Sequence, residues 1–459
     1  MAAPGVGAQP GGKPCDVPSS VPAWNLRFVA PFGAASFRCY VVSVLHRWDA
    51  CPPAEVPSIR LDLPPAARVY PWPVSILIPA REYALVLATA ALVTFLVTGL
   101  VRVIAGRLGA VTAIRDRDVH KLPTPRMGGV ALYAGVAAGV LVALQLPRLQ
   151  DAFSTTSEIA GVLVAGALIC LVGVLDDKFD LDAVTKLAGQ VLAAGVLVIF
   201  GVQWTTVWLP LDDGGTLVSL GQAQGLVITV LITVVLTNAM NFIDGLDGLL
   251  AGVALISAVG VFVFSAHQLA ASQNLTDASQ PPLIAAALIG ACLGFLPHNF
   301  YPARIFMGDS GSMFIGLTMA AAIVSAGGKL NSSSYGPRST IALLAPLFVV
   351  LAVVFIPLLD FFLAVIRRTK EGRHPFSADK RHLHHRMLNI GHTHRQAVLI
   401  FYLWAAVLSG SAVSLAFMPW TVAIAPAFGL MMFAAVISAW PRVRARKLSR
   451  ARASTGAAT

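Results

Sequence analysis

Acidic and amide side chains crowd three short stretches that abut apolar runs, where an ionised carboxylate costs about 2.5–3.5 kcal/mol at the membrane centre and so needs a reason, and histidines crowd a fourth. The stretch LVGVLDDKFDLDAVTK carries Asp176 and Asp177. Adjacent carboxylates repel, and a divalent cation or a shared proton relieves the repulsion; a solvated helix end is the plainer reading. TNAMNFIDGLDGLLAG places Asn238, Asn241, Asp244 and Asp247 every third residue. These are oxygen donors of the kind that suit Mg²⁺, which keeps waters and binds phosphate as well; a capped turn between helices is the alternative. In HNFYPARIFMGDSGSMF, Asn299 and Asp309 flank a short loop. The GDSGS run opening a helix offers backbone N–H groups to a phosphate, or is an ordinary N-cap. GRHPFSADKRHLHHRM brings His382, His384 and His385 among Arg and Lys. No Cys or acidic partner stands at zinc spacing, so phosphate neutralisation or contact with lipid headgroups suits this stretch better. Lys121, in RDRDVHKLPTPRMGG, adds a cation. Asp360 could face the same site or pair within a bundle.

Together these groups supply metal ligands, phosphate donors and a carboxylate base, the parts of a phosphoryl-transfer site in which positioning does most of the work. The elements that must hold them are membrane helices. The chain is 56% hydrophobic and 12% charged over 459 residues, a composition no ordinary soluble domain approaches. Eleven apolar runs, near 83–104, 128–147, 158–175, 184–202, 224–241, 249–267, 282–298, 312–327, 340–366, 396–417 and 419–440, predict an all-α, polytopic membrane protein. A β-barrel would show short alternating segments, and none are seen.

The net charge of +11 raises the question of nucleic acid, but the basic residues mark topology instead. They gather at 105–127, at 367–395 and after 441, whereas 203–223 and 268–281 hold no Lys or Arg. By the positive-inside rule these basic segments, with 176–183, 242–248 and 299–311, are expected to be cytoplasmic, and the residues before the first span outside. All four acidic and histidine clusters then share one face. No nucleic-acid partner is expected. Residues 1–82 read as a poorly structured extension, 83–440 as the transmembrane domain and 441–459 as a basic cytoplasmic tail. Cys15, Cys39 and Cys51 would be free to pair if the extension is exported, while Cys170 and Cys292 read as small hydrophobes.

The ordered motifs DRDVHKLPTPRMGG, LDDKFDLDAVTKLAGQ, NAMNFIDGLDGL, FMGDSGS and SADKRHLHHRM resemble the polyprenyl-phosphate N-acetylhexosamine 1-phosphate transferase family over roughly 83–440. Within it the chain looks most like the bacterial branch that makes polyprenyl-diphosphate N-acetylglucosamine, and its composition looks actinobacterial. HLHH at 382–385 fits that branch, whereas the phospho-MurNAc-pentapeptide transferases carry three contiguous histidines.

The resemblance implies transfer of GlcNAc-1-phosphate from UDP-GlcNAc to decaprenyl or undecaprenyl phosphate in the bacterial cytoplasmic membrane, serving cell-wall polysaccharide or linker synthesis. It implies Mg²⁺, with Mn²⁺ as a substitute, held by Asp309, Asp244 and Asn241. Asp176 resembles the base that deprotonates the lipid phosphate, with Asp177 in support; a covalent carboxylate nucleophile is the rival scheme, and the sequence leaves both open. Lys121, His382, His384 and His385 would neutralise phosphate charge, and Asn238, Asp247 and Asn299 would orient the nucleotide sugar. A homodimer is a further expectation. The alternatives are a sibling enzyme using another UDP-sugar, phospho-MurNAc-pentapeptide among them, and, more remotely, an ion-coupled transporter.

Overall fold

The computed structural model describes residues 79–111, 124–154, 156–209, 216–271, 280–328, 366–372, 390–418 and 420–456, with Phe348, Leu351, Ala352, Phe355, Leu359, Met387 and Leu388 besides. Among them eight helices are long and apolar enough to cross a membrane: α1 (Ala80–Arg107), α4 (Glu158–Phe179), α6 (Gln222–Ile243), α7 (Leu249–Ala271), α8 (Gln280–Asn299), α9 (Gly308–Gly327), α10 (His394–Phe417) and α11 (Trp420–Gly456). Two shorter apolar helices, α2 (Gly128–Ala143) and α5 (Ala183–Ile199), complete the bundle, and α3 (Asp151–Ser154) is a single turn. Ten of the eleven expected runs are thus helices. Most of the eleventh, 340–366, lies outside the described residues, as do Asp360 and residues 1–78.

Two expectations change in detail. The apolar run predicted over 128–147 yields a 16-residue helix, about 24 Å long at 1.5 Å per residue, because the chain turns at 144–150 before α3. The loop predicted over 203–223 contains a hairpin of β1 (Thr206–Leu209) and β2 (Thr216–Ser219), antiparallel with Thr206 opposite Ser219. Its Thr, Val, Trp and Leu residues suit a pleated surface. The hairpin is fastened to the end of α9 by Thr205 N–H and the Thr205 and Thr206 hydroxyls, all donating to Gly328 O.

Burial separates the inside of the bundle from its lipid wall. The apolar window of α9 is 100% buried, whereas that of α11 is 11% buried. α9 is therefore the central helix, packed on α4, α6, α8 and α2, and α11 contacts mainly α10 at the periphery. Small residues permit the close crossings: a side chain added at Gly173 of α4 or Gly129 of α2 would collide with the Ser310 backbone. The outward faces of α1, α4, α6 and α11 carry exposed Leu, Val, Ile and Phe, the composition lipid tails require. At the end of α9 opposite Asp309, buried Glu158 accepts from Ser325 Oγ, tying α4 to the same central helix.

Candidate active site

The C-terminal ends of α4 and α6 and the N-terminal end of α9 meet at one end of the bundle. α4 stops at Asp180, which is left-handed at φ 50°, and Asp182 begins α5 by accepting from Val184 and Thr185 N–H at 3.0 and 3.1 Å. Asp182 is exposed. Its carboxyl is held below the usual range chiefly by the Thr185 hydroxyl and N–H. This tight connection folds α5 back along α4 and sets Lys186, in the first turn of α5, against Asp176 at 2.5 Å. The same ammonium reaches Asp309 of α9 at 3.0 Å. Asp176 Oδ1 also accepts from Leu181 N–H at 2.8 Å.

Asp177 has a different task. Its two carboxylate oxygens accept from the N–H groups of Asp309, at 2.9 Å, and Ser310, at 3.2 Å. A carboxylate at a helix N-terminus meets both the unpaired donors and the positive end of the dipole. Of the two readings of the GDSGS run, a phosphate site or a capped helix start, two of its amides take the second, with Asp177 of α4 as the cap. Gly308, left-handed at φ 71°, lies so close that a Cβ there would enter the Asp177 carboxylate.

α6 delivers the second motif. It ends at Ile243, after which Asp244 and the left-handed Gly248 turn the chain into α7. Asn241 donates from Nδ2 to Ser312 Oγ at 3.0 Å. Its carbonyl oxygen is thus the atom it can offer a cation. Asp244 stands between α6 and α7 in the field of Asp309 and Asp177. Burial first, then those two charges, push its carboxyl up to about 8, against the opposing charge of Arg126.

The remaining motif residues tie the site together from below. Asn238, one turn before Asn241, donates to Gln190 Oε1 at 2.7 Å and Val234 O at 2.8 Å. Asn299 accepts from Gly248 N–H at 3.1 Å and donates to Ile305 O at 3.0 Å, and Asp247 accepts from Ala303 N–H at 2.9 Å. Asp247 and Asn299 are buried, and these bonds bind the 244–248 and 299–305 turns to each other. The structure thus brings Asp176, Asp177, Asn241, Asp244 and Asp309 into one cluster, with Asn238, Asp247 and Asn299 beneath it. Lys121, His382, His384 and His385 lie outside the described residues.

Three residues given no role on sequence grounds belong here: Lys186, Gln190 and Arg126. A lone lysine and a glutamine four residues apart on one face of an apolar span were the available signal, since lipid tolerates neither without a partner. Arg126 was counted as a topology marker only.

Of the four carboxylates, Asp176, Asp177, Asp244 and Asp309, two, Asp176 and Asp309, contact Lys186, and Asp244 lies in the longer-range field of Arg126. Among the described residues no three His, Cys, Asp or Glu side chains converge tightly enough to hold a metal unaided. Mg²⁺ does not demand that: it is bound by one or two carboxylates with waters and substrate phosphate. The surplus of carboxylate oxygens and the orientation of Asn241 fit such an ion at Asp309, Asp244 and Asn241.

A family model described as glycosyl transferase family 4 matches residues 159–327, the segment from α4 to α9 that supplies Asp176 through Asp309. Decaprenyl-phosphate N-acetylglucosaminephosphotransferase of Mycobacterium tuberculosis is 50% identical over 368 residues, 80% of this chain and 91% of that protein. The chain belongs to glycosyl transferase family 4. Two further relatives share less identity with it. A probable undecaprenyl-phosphate N-acetylglucosaminyl 1-phosphate transferase of Bacillus subtilis is 34% identical over 71% of this chain and 82% of its own length. The phospho-N-acetylmuramoyl-pentapeptide-transferase of Desulforudis audaxviator is 32% identical over 64% of this chain and 84% of its own.

Proposed function

We propose that this protein transfers N-acetylglucosamine 1-phosphate from UDP-GlcNAc to a polyprenyl phosphate, decaprenyl or undecaprenyl, in a bacterial cytoplasmic membrane. One observation carries the reading: half of the residues match an N-acetylglucosaminephosphotransferase along nine-tenths of that protein's length, and the matched span includes every carboxylate of the cluster. The clustering of Asp176 and Asp309 on Lys186, from helices far apart in sequence, supports phosphoryl chemistry at that end.

In this reaction an oxygen of the polyprenyl phosphate attacks the sugar-bearing phosphorus of UDP-GlcNAc. The P–O bond to UMP breaks, UMP leaves, and the lipid keeps a diphosphate bearing GlcNAc. Asp309, Asp244 and the Asn241 carbonyl would hold Mg²⁺, which when bound would neutralise charge on the donor diphosphate. Asp176 takes the proton of the acceptor phosphate, within reach of Lys186, whose ammonium then offsets the negative charge accumulating beside Asp309. Asp177 keeps the start of α9 in register and so fixes where Asp309 stands. The bundle as a whole, 83–440, is the catalytic domain, with the cluster at the cytoplasmic face and a homodimer as its assembly.

The test is incorporation of label from UDP-[³H]GlcNAc into a butanol-extractable lipid by membranes containing the chain, with and without Mg²⁺, beside Asp176→Asn and Asp309→Asn. Mg²⁺-dependent labelled lipid, discharged by UMP and lost in both variants, is expected. Labelling only from another UDP-sugar would move the assignment to a sibling substrate, and none from any donor would overturn the enzymatic reading.

A further inference from the structure

We propose that the outer wall formed by α1, the last turn of α8 and residues 300–304 holds the headgroup of an anionic phospholipid, of the phosphatidylglycerol class, between Arg102 and Arg304. Both arginines are exposed, and neither makes an ion pair among the described residues. They come from separate elements joined by one histidine. His298 donates from Nε2 to Phe95 O at 3.1 Å and lies on the Phe95 ring at 4.7 Å between centroids. Arg304 N–H donates to His298 O at 2.9 Å. Arg102 is two helical turns beyond Phe95 on the same face of α1, about 10 Å along the axis, within the reach of a guanidinium on its long stem.

The surroundings say what fills the gap. Beside the two arginines, Leu92 and Phe95 on the same side of α1, and Leu293 on α8, are exposed apolar side chains, a bed for acyl chains. A guanidinium beside them must sit at headgroup level, where a phosphodiester can accept from both forks. The nearest carboxylate bonded to this turn, Asp247, is buried and turned inward to Ala303 N–H. The surface is also separate from the carboxylate cluster. His298 faces α1 while its neighbour Asn299 faces Gly248 inside the bundle, so α8 stands between the two.

Full-length protein would be purified from membranes, exchanged into nanodiscs of phosphatidylcholine alone or mixed with phosphatidylglycerol, and its retained lipids measured by native mass spectrometry after release. The wild type should keep phosphatidylglycerol in preference to phosphatidylcholine. Arg102→Gln with Arg304→Gln should weaken that retention by about one order of magnitude, whereas Arg81→Gln with Arg148→Gln, the same charge change at the other end of α1, should not. Arg102→Lys with Arg304→Lys should restore part of it. Independently of any variant, a photoactivatable phosphatidylglycerol should label the wild type within 92–104 or 293–304. Equal retention by the glutamine pair, no headgroup preference, or labelling elsewhere would overturn the proposal. So would displacement of the retained lipid by polyprenyl phosphate, which would assign the site to the acceptor.

Discussion

Asp177 and Lys186 show how two charged residues held between helices can determine what their neighbours do. Asp177 accepts two backbone N–H groups with two oxygens. Asparagine has one acceptor and would turn its NH₂ toward a donor, so Asp177→Asn should lower stability by about 1–3 kcal/mol, the cost of an orphaned buried donor. The measurement is the thermal midpoint in detergent, and an unchanged midpoint would contradict the capping role. Lys186→Met removes the cation shared by Asp176 and Asp309 while keeping the stem. Exchange of labelled UMP should fall by about 100-fold or more, near the upper range for losing one electrostatic contact to a transferring phosphoryl group. Full activity in this variant would mean that the bridge has no bearing on the reaction.

Asp244 adds a pH dependence whose sign can be worked out. Its folded value is about 8 against an ordinary 3.8, so between those values the folded chain holds a proton that the unfolded chain has released. Stability should therefore decline as pH rises through that window. With a chelator present, Asp244→Asn should flatten the slope of the thermal midpoint between pH 5 and pH 8. In the wild type Mg²⁺ should do the same by stabilising the ionised form. A slope that survives both changes would have its origin elsewhere.

At the scale of elements the site depends on how closely α9 approaches its neighbours. Gly308 is left-handed and abuts the Asp177 carboxylate, so Gly308→Ala combines backbone strain with a collision. A cost of about 1–3 kcal/mol is expected, together with loss of lipid labelling; an alanine variant as stable and active as wild type would show that the start of α9 can shift without penalty. This is also where the sequence was least informative. The acidic motifs announced themselves because carboxylates beside apolar runs are costly, and Asp176, Asn241, Asp244 and Asp309 do cluster. That Asp177 would close off the α9 amides was not legible, since a helix N-terminus looks the same in sequence whether a ligand or a side chain caps it. Lys186 was hidden for a related reason: its partner Asp309 is over a hundred residues away, and only the packing of α5 and α9 against α4 joins them. The hairpin at 206–219 escaped a reading tuned to long apolar runs, because four-residue strands carry little periodicity.

For the whole molecule, function turns on direction: which membrane face holds the carboxylates. Helix packing is blind to it, since the bundle would fold alike either way up. The charge of the loops is not, and the basic clusters at 105–127 and 367–395 argue for the cytoplasm by the positive-inside rule. Two exposed positions mark the two ends. Lys178 lies in the last turn of α4 beside the cluster, and Gln222 opens α6 next to the hairpin at the opposite end. The single substitutions Lys178→Cys and Gln222→Cys, made in a chain whose Cys15, Cys39 and Cys51 are changed to Ser, leave only the buried Cys170 and Cys292 as background. A membrane-impermeant maleimide applied to intact cells should label the cysteine at 222 and spare the one at 178, and inverted vesicles should reverse the pattern. UDP-sugars are made in the cytoplasm, so the reversed result, labelling at 178 from outside, would part the carboxylate cluster from its donor and remove the proposed reaction whatever the sequence likeness. Labelling of both from one side would instead contradict the bundle, because α4 and α6 would then not place their opposite ends at opposite faces.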